Sequence, residues 1–197
     1  MQYIRRVASV FGLMALAATG HLSAQDPGSI AVHAYGGGVH NLGTMHPTGV
    51  YDTKFGTGFG GGLAYQVSDV FSVRADGYFT KSTITYFGDD QADKLDRLYA
   101  SLIAKLQLRE GTLRPYFLLG AGGTFIKQPT TVESKPKFAH FLGGAGVEYP
   151  IGSAGLSFFA ESRVAMYNSK ALIGNQVSVT RFMADAALTG GFAYRIR

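Results

Sequence analysis

The last stretch of the chain, Val177–Arg197 (VSVTRFMADAALTGGFAYRIR), alternates between two sets of side chains with a period of two residues. The first set is largely apolar: Phe182, Ala184, Ala186, Leu188, Gly190, Phe192, Tyr194 and Ile196. The second set is largely polar or small: Arg181, Met183, Asp185, Ala187, Thr189, Gly191, Ala193 and Arg195. This alternation predicts a β-strand with one apolar face. A strand of a soluble sheet usually has about 5–6 residues, whereas a strand that crosses a bilayer needs ~9–11 plus ends in water. The length therefore favours a membrane-spanning strand.

The N-terminal 24 residues have the three parts of a secretory signal peptide. Arg5 and Arg6 precede an apolar run, Val7–Thr19, and small residues follow it. The apolar run is shorter than the ~20 residues that a spanning helix needs. We predict cleavage after Ala24, with Gly20 as the alternative site. Residues 1–24 are then the signal peptide, and residues 25–197 form one β-barrel domain.

Composition narrows the classes of function. Removing Arg5 and Arg6 leaves 16 of the 18 basic residues against 13 acidic residues, a charge of +3. This small excess contains no basic run and predicts no nucleic-acid partner. The chain has no cysteine, which excludes disulfides, a thiol nucleophile and a lipid-bearing N-terminal cysteine.

Seven further segments alternate in the same way and predict seven more strands. They are Ser29–Asn41, Lys54–Val67, Val70–Thr85, Leu95–Leu108, Leu113–Lys127, Lys137–Tyr149 and Gly155–Asn168. Short turns follow the second, fourth and sixth strands, and longer loops follow the first, third, fifth and seventh. Short turns at one end and longer loops at the other are typical of a membrane β-barrel. The segment Leu95–Leu108 also satisfies a helical spacing, but Lys105 and Gln107 lie between its leucines, and we predict a strand.

Two segments resemble a known family. The segment Arg114–Gly122 (RPYFLLGAG) leads into a strand of glycine and aromatic residues. The chain end, with Gly191, Tyr194 and Ile196, resembles the sorting signal of bacterial outer-membrane barrels. Together they resemble the small eight-stranded bacterial outer-membrane β-barrel family. The resemblance implies an all-β fold, an eight-stranded antiparallel up-and-down transmembrane β-barrel in the outer membrane.

The resemblance also implies partners and a location. The chain is expected to contact outer-membrane lipids and lipopolysaccharide, and to use periplasmic chaperones and the barrel-assembly machinery during biogenesis. We expect a monomer that needs no cofactor. Lys81, near the outer end of its strand, is expected to meet lipopolysaccharide phosphates together with Lys54 and Lys127.

The alternation alone leaves open which face points outward. A soluble lipocalin-like barrel would turn the apolar face inward around a ligand. Phenylalanine and leucine rows would crowd an eight-stranded interior, whereas Gly56, Gly58, Gly60 and Gly62 would fit it. We therefore predict that the apolar face meets lipid. An aromatic girdle is expected near the short-turn end, formed by Tyr65, Phe71, Phe117, Tyr149, Phe158 and Tyr194.

The polar face then forms the barrel interior and carries charges of both signs. Buried charges are tolerated when they are paired and hydrogen-bonded. We predict a lumen filled by ion pairs among Arg74, Asp76, Lys105, Arg114, Glu148, Glu161, Arg163, Arg181 and Asp185. The expected hairpin register brings Asp76 near Lys105, and Arg163 or Glu161 near Arg181 and Asp185. An eight-stranded interior is just wide enough for side chains, so no open channel is expected.

These features predict a structural or surface-interaction role, with recognition on the loops Leu42–Thr53, Tyr86–Lys94, Gln128–Pro136 and Ser169–Gln176. A narrow gated pore and a lipid-modifying enzyme remain alternatives. Catalytic residues are not predicted, because Ser101 and Ser162 have no evident histidine partner at matching depth. Gly56–Gly61 fits a G-x-G-x-x-G template, but it lies inside a strand and does not predict a dinucleotide site. The four histidines of the mature chain lack metal-ligand spacing and do not predict a metal site.

Overall fold

The computed structural model describes residues 27–42, 51–86, 92–108, 111–127, 137–152, 155–173 and 177–196. The predicted signal peptide, residues 1–24, lies outside the described residues. The predicted recognition loops also lie wholly or partly outside them.

The described chain folds into a closed antiparallel barrel. Its strands are β1 (Ile30–Asn41), β2 (Tyr51–Thr53), β3 (Gly56–Gln66), β4 (Phe71–Tyr86), β5 (Ala92–Gln107), β6 (Arg114–Lys127), β7 (Lys137–Ile151), β8 (Leu156–Ile173) and β9 (Val177–Ile196). Each long strand pairs with its neighbours in sequence, and β1 pairs with β9 to close the cylinder. The short β2 continues the β3–β4 ladder, since Tyr51 lies opposite Tyr86 and Thr57 opposite Lys81. The barrel wall therefore has eight strands.

Closure follows from the backbone, because every peptide group facing hydrocarbon must find its partner within the protein. Of the segment Leu95–Leu108, residues 95–107 lie in β5, and the strand prediction is confirmed there. No helix among the described residues has the length and apolar character to cross a membrane.

Two predicted loops are shorter than the alternation indicated. The β4–β5 ladder extends to the pair Thr85 and Ala92, and the β8–β9 ladder extends to Ile173 and Val177. Ladder hydrogen bonds join backbone groups, so they continue after the apolar alternation has stopped.

We call the end with connections 67–70, 108–113 and 152–155 the turn end, and the opposite end the loop end.

The apolar rows point outward. Phe59 is 66 % exposed and Leu188 is 69 % exposed. The residues that alternate with these rows, which include charges of both signs, are buried inside the barrel. This arrangement excludes the lipocalin-like alternative, in which the apolar rows would converge on a cavity. The six aromatic residues of the predicted girdle lie within four residues of the turn-end limits of their strands: Tyr65, Phe71, Phe117, Tyr149, Phe158 and Tyr194.

Glycine lines the interior where neighbouring strands approach closely. A Cβ atom on Gly191 would lie 2.1 Å from the carbonyl oxygen of Ala34, across the β1–β9 seam. A Cβ on Gly122 would lie 2.0 Å from the carbonyl oxygen of Ala100. Backbone atoms cannot move aside as a flexible side chain can. The neighbouring Gly190 faces outward, and its nearest such contact is 3.6 Å.

We expect Gly191→Ala to destabilise the barrel by about 1–3 kcal/mol, the usual cost of overpacking. Gly190→Ala is the matched control and should change stability by less than about 0.5 kcal/mol. Unfolding of the refolded proteins, followed by heat-modifiability on a gel, measures both. Equal stability of the two variants would show that the seam does not require glycine at position 191.

Candidate functional site

The centre of the lumen holds two cations and two anions from facing walls. Arg74 and Asp76 come from β4, and Glu161 and Arg163 from β8; residues two apart on a strand point to the same side. Arg74 Nη1 lies 3.0 Å from Glu161 Oε2, and Arg74 Nη2 lies 3.0 Å from Asp76 Oδ2. Arg163 Nη2 lies 3.0 Å from Asp76 Oδ2, and Arg163 also pairs with Glu161. We call these four residues the central cluster.

Tyrosine and histidine side chains complete the hydrogen bonding of the central cluster. His33 Nε2 lies 2.6 Å from Asp76 Oδ1, and Tyr116 donates its hydroxyl to Glu161 Oε2 at 2.8 Å. Arg163 Nη1 donates to the Tyr35 hydroxyl at 3.0 Å. Each carboxylate thus has several partners, as a buried charge requires.

A second charged pair lies nearer the loop end. Arg97 Nη1 of β5 is 3.5 Å from Asp185 Oδ1 of β9. Tyr99 and Tyr167 donate their hydroxyls to Asp185 Oδ2 at 2.7 and 2.8 Å, and Asn41 donates to Oδ1 at 2.7 Å. The carboxylate of Asp185 therefore ties together four strands, β1, β5, β8 and β9.

A third pair, Lys105 with Glu148, lies toward the turn end. The Lys105 ammonium also lies over the Tyr116 ring, 4.3 Å from its centroid. Lys105 and Glu148 line a recess that opens to solvent and reaches inward to Arg74 and His33. Water can therefore approach the central cluster from the turn end.

Apolar side chains from five strands pack together in the lumen on the loop-end side. Leu95, Ile126, Tyr167 and Met183 form a buried cluster, with Phe138 packed against it. These residues come from five adjacent strands, β5 to β9, and their side chains meet across the interior. We call this group the apolar plug.

The structure thus divides the interior into charged layers and apolar layers, whereas the sequence predicted a lumen filled by ion pairs. The predicted pairing of Asp76 with Lys105 is wrong, because Asp76 lies opposite Ser101 and Lys105 lies opposite Ser72. The predicted contact of Arg163 or Glu161 with Asp185 is also wrong, because Asp185 pairs with Arg97. Hairpin register governs neighbours within the wall, but these charges meet across the lumen.

Two residues of the predicted network stand apart from it. Arg114 lies at the turn end, opposite Glu148 in the β6–β7 ladder, and its Nε donates to the Gly111 carbonyl oxygen at 3.3 Å. Among the described residues, Arg114 forms no salt bridge within 4 Å. The side chain of Arg181 lies outside the described part of the chain.

Sequence reasoning omitted Arg97 and the tyrosines that hold the carboxylates. Tyr35, Tyr99, Tyr116 and Tyr167 all share the strand face of the charged residues and are buried. Their position in the alternation was the available signal: tyrosines on the apolar face lie at the rim, and tyrosines on the polar face serve the interior network.

A serine–histidine contact also lies inside the barrel. Ser101 Oγ is 2.9 Å from His140 Nε2, and Thr124 Oγ1 is 2.9 Å from His140 Nδ1. The expectation that Ser101 has no histidine partner is therefore wrong. The side chains meet across β6 because Gly122, which lies between them in register, has no side chain. The third group is a hydroxyl rather than a carboxylate, which a catalytic triad would place there.

Among the described residues, no group of three or more histidine, aspartate or glutamate side chains has the arrangement of a metal site. The charged groups of the lumen are instead paired with one another.

Comparison with known proteins agrees with this architecture. The family model described as the outer membrane protein beta-barrel domain matches residues 9–195. The chain belongs to this family. The match covers the whole barrel, from β1 to nearly the end of β9. A comparison with curated proteins gives no match.

Solved structures share the fold at low sequence identity. The outer membrane protein OprG of Pseudomonas aeruginosa is 13 % identical, with a TM-score of 0.61 over 90 % of this chain and 100 % of that chain. Neisserial surface protein A is 14 % identical, with a TM-score of 0.58 over 85 % and 97 %. Ail of Yersinia pestis, solved with the heparin analogue sucrose octasulfate, is 18 % identical, with a TM-score of 0.53 over 87 % and 100 %. Family membership and these neighbours indicate an outer-membrane barrel.

Glu161→Gln should destabilise the barrel by about 3–5 kcal/mol, because it leaves Arg74 and Arg163 buried with too little negative charge. The matched control is Glu148→Gln, whose partner Lys105 borders the solvent-open recess and can reach water. We expect the control to cost about 1 kcal/mol. Urea unfolding in lipid vesicles measures both. A neutral effect of Glu161→Gln would contradict the role assigned to the central cluster.

Proposed function

We propose that this protein is a structural barrel of the outer membrane that does not conduct solutes and that interacts with partners through its loop end. The observation that carries the proposal is the double obstruction of the lumen. The central cluster joins β4 to β8 across the interior, and the apolar plug fills the interior nearer the loop end.

Conduction requires a continuous path of water or polar groups that an ion can follow. The turn-end recess supplies the first part of such a path, as far as Arg74. Beyond it, an ion would have to separate buried salt bridges and then cross Leu95 and Met183, which are 0 and 1 % exposed. Both steps are costly in a region of low dielectric constant.

The same geometry argues against catalysis. The Ser101 hydroxyl lies inside the barrel wall, and a lipid substrate outside the cylinder has no route to it. A tetrahedral intermediate also needs free donors aimed at its oxygen. The backbone amides around Ser101 belong to the ladders with β4 and β6. The Ser101–His140–Thr124 contact instead has a structural role, because it fixes the packing of β5, β6 and β7.

The long hairpins support interaction at the loop end. β8 has 18 residues and β9 has 20, while ~9–11 residues suffice to cross a bilayer. The apolar row of β9 ends at Phe182, so residues 177–181 extend on the order of 15 Å along the strand beyond the apolar band, at ~3.3 Å per residue. A paired hairpin holds its connecting loop more rigidly than an unpaired segment of the same length. Such loops on a fixed scaffold are suited to recognition.

Export through a cleaved signal peptide, assembly by the barrel-assembly machinery and a monomeric state complete the proposal. The even strand number supports the proposed orientation, because it returns both chain ends to the turn end, which would face the periplasm.

Planar-bilayer recording tests the non-conducting lumen. We expect no steady conductance from the wild-type protein, and none from Asp76→Asn, because the apolar plug remains in place. A narrow gated pore predicts steady openings that increase when Asp76 is neutralised. Steady wild-type openings, at a level above that of protein-free bilayers, would overturn the proposal.

A further inference from the structure

The turn-end recess exists because small residues face inward on three neighbouring strands. Ala193 of β9, Ala31 of β1 and Ala64 of β3 lie on its wall, together with Gly155 just before β8. Their side chains leave open the space that longer side chains fill elsewhere in the lumen. Arg74 belongs both to the lining and to the central cluster, so the recess opens at the turn end and ends at that cluster.

Two arginines flank the alanine wall of the recess. Arg195 lies opposite Ala31, Ala31 lies opposite Ala64, and Ala64 lies opposite Arg74. The four residues therefore form one inward-facing row across β9, β1, β3 and β4. With adjacent strands ~4.8 Å apart, the backbones of the two arginines are about 14 Å apart along the wall. A ligand held over the two alanines lies between two cationic side chains.

The outer arginine, Arg195, is fixed by its backbone and unpaired at its side chain. Its amide donates to the carbonyl oxygen of Gly155 at 2.9 Å, and Gly155 has a φ of 78°, which favours glycine. Among the described residues, the Arg195 guanidinium forms no ion pair and no hydrogen bond. Its five N–H donors are therefore available to an anion that enters the recess.

Further donors lie at the inner end and the side of the recess. Arg74 is only 4 % exposed, and its Nη atoms contact carboxylates of the central cluster. Its Nε has no hydrogen-bond partner among the described residues. An unsatisfied buried donor is costly, and an oxygen atom of a ligand would remove that cost. Lys105 also lines the recess, and its pairing with Glu148 leaves further N–H donors on the same ammonium group.

The charges of the recess favour a ligand with a single negative charge. Arg74 and Lys105 are already paired with carboxylates of the protein, which leaves Arg195 as the unpaired cation of the described lining. A monoanion balances this cation, whereas a dianion would leave one negative charge uncompensated in a region of low dielectric constant. A carboxylate carries one charge at neutral pH, and its two oxygens match the fork of a guanidinium group.

We infer that the turn-end recess binds a small monocarboxylate from the compartment that the turn end faces. The carboxylate lies between Arg195 and Arg74, and its short aliphatic part lies against the alanine wall. The inference goes beyond the proposed function, because it concerns the end opposite the loops and needs no passage through the lumen. The bilayer recording and the titration below can therefore fail separately.

Titration of the full-length processed protein in nanodiscs with propionate tests this inference, because a nanodisc leaves the turn end open to solvent. The NMR line width of isotope-labelled propionate measures binding. We expect saturable binding of one propionate per barrel. Propionamide, a neutral molecule of nearly the same shape, should bind at least about tenfold more weakly, because it lacks the charge-assisted hydrogen bonds.

Two substitutions should change the affinity for propionate in opposite directions. Arg195→Gln removes the unpaired cation and should weaken binding about tenfold. Glu148→Gln removes the acidic side chain of the lining and frees the Lys105 ammonium, so it should strengthen binding about fivefold. The matched control is Arg114→Gln, which removes the same charge at the same end but outside the lining. It should change the affinity less than about threefold, because solvent screens its charge.

Three outcomes would overturn the inference. The first is the absence of saturable propionate binding by the wild-type protein. The second is an equal loss of affinity in Arg195→Gln and Arg114→Gln, because the turn end would then attract anions through its overall charge. The third is an equal affinity for chloride, because the site would then recognise charge without the two carboxylate oxygens. Heat-modifiability of every variant verifies that the barrel has folded.

Discussion

The structure depends on the requirement that backbone polar groups facing hydrocarbon be paired within the protein. The eight-stranded wall meets this requirement by joining β1 to β9, so that no unpaired edge faces lipid. Closure has a second consequence, because the inner face of each strand is then sealed in a space hardly wider than its own side chains. Glycine at positions such as Gly122 and Gly191 follows from this, as does the need to neutralise every charge that points inward.

Charge balance inside the barrel is achieved by ion pairs, several of which span the lumen. Among the described interior residues, Arg74, Arg97, Lys105 and Arg163 face Asp76, Glu148, Glu161 and Asp185. Tyrosine hydroxyls bring further hydrogen bonds to Asp185 and Glu161. Such pairs link distant strands, so they fix which parts of the wall face one another. A hydrophobic filling would pack the same space with less geometric selectivity.

The two ends of the barrel differ in chemistry. The turn end has a solvent-open recess with the Lys105–Glu148 pair, while the interior toward the loop end is filled by the apolar plug. These differences distinguish the two ends of the cylinder, and the closed lumen agrees with the proposal that interaction occurs at the loops.

The sequence by itself determined the eight alternating strands and their antiparallel order, because a period of two records which residues share a face. It also determined the outward direction of the Phe and Leu rows, because these side chains would crowd an eight-stranded interior. The same alternation marked Arg74, Asp76, Glu161 and Arg163 as interior residues. It could not assign their partners, because contacts across the lumen depend on strand tilt and stagger, which leave no local signal. Only the tertiary structure decided that Asp185 meets Arg97, that Ser101 reaches His140 past Gly122, and that Leu95 and Met183 close the interior. Those contacts join residues far apart in the chain, and closing the barrel is what brings them together.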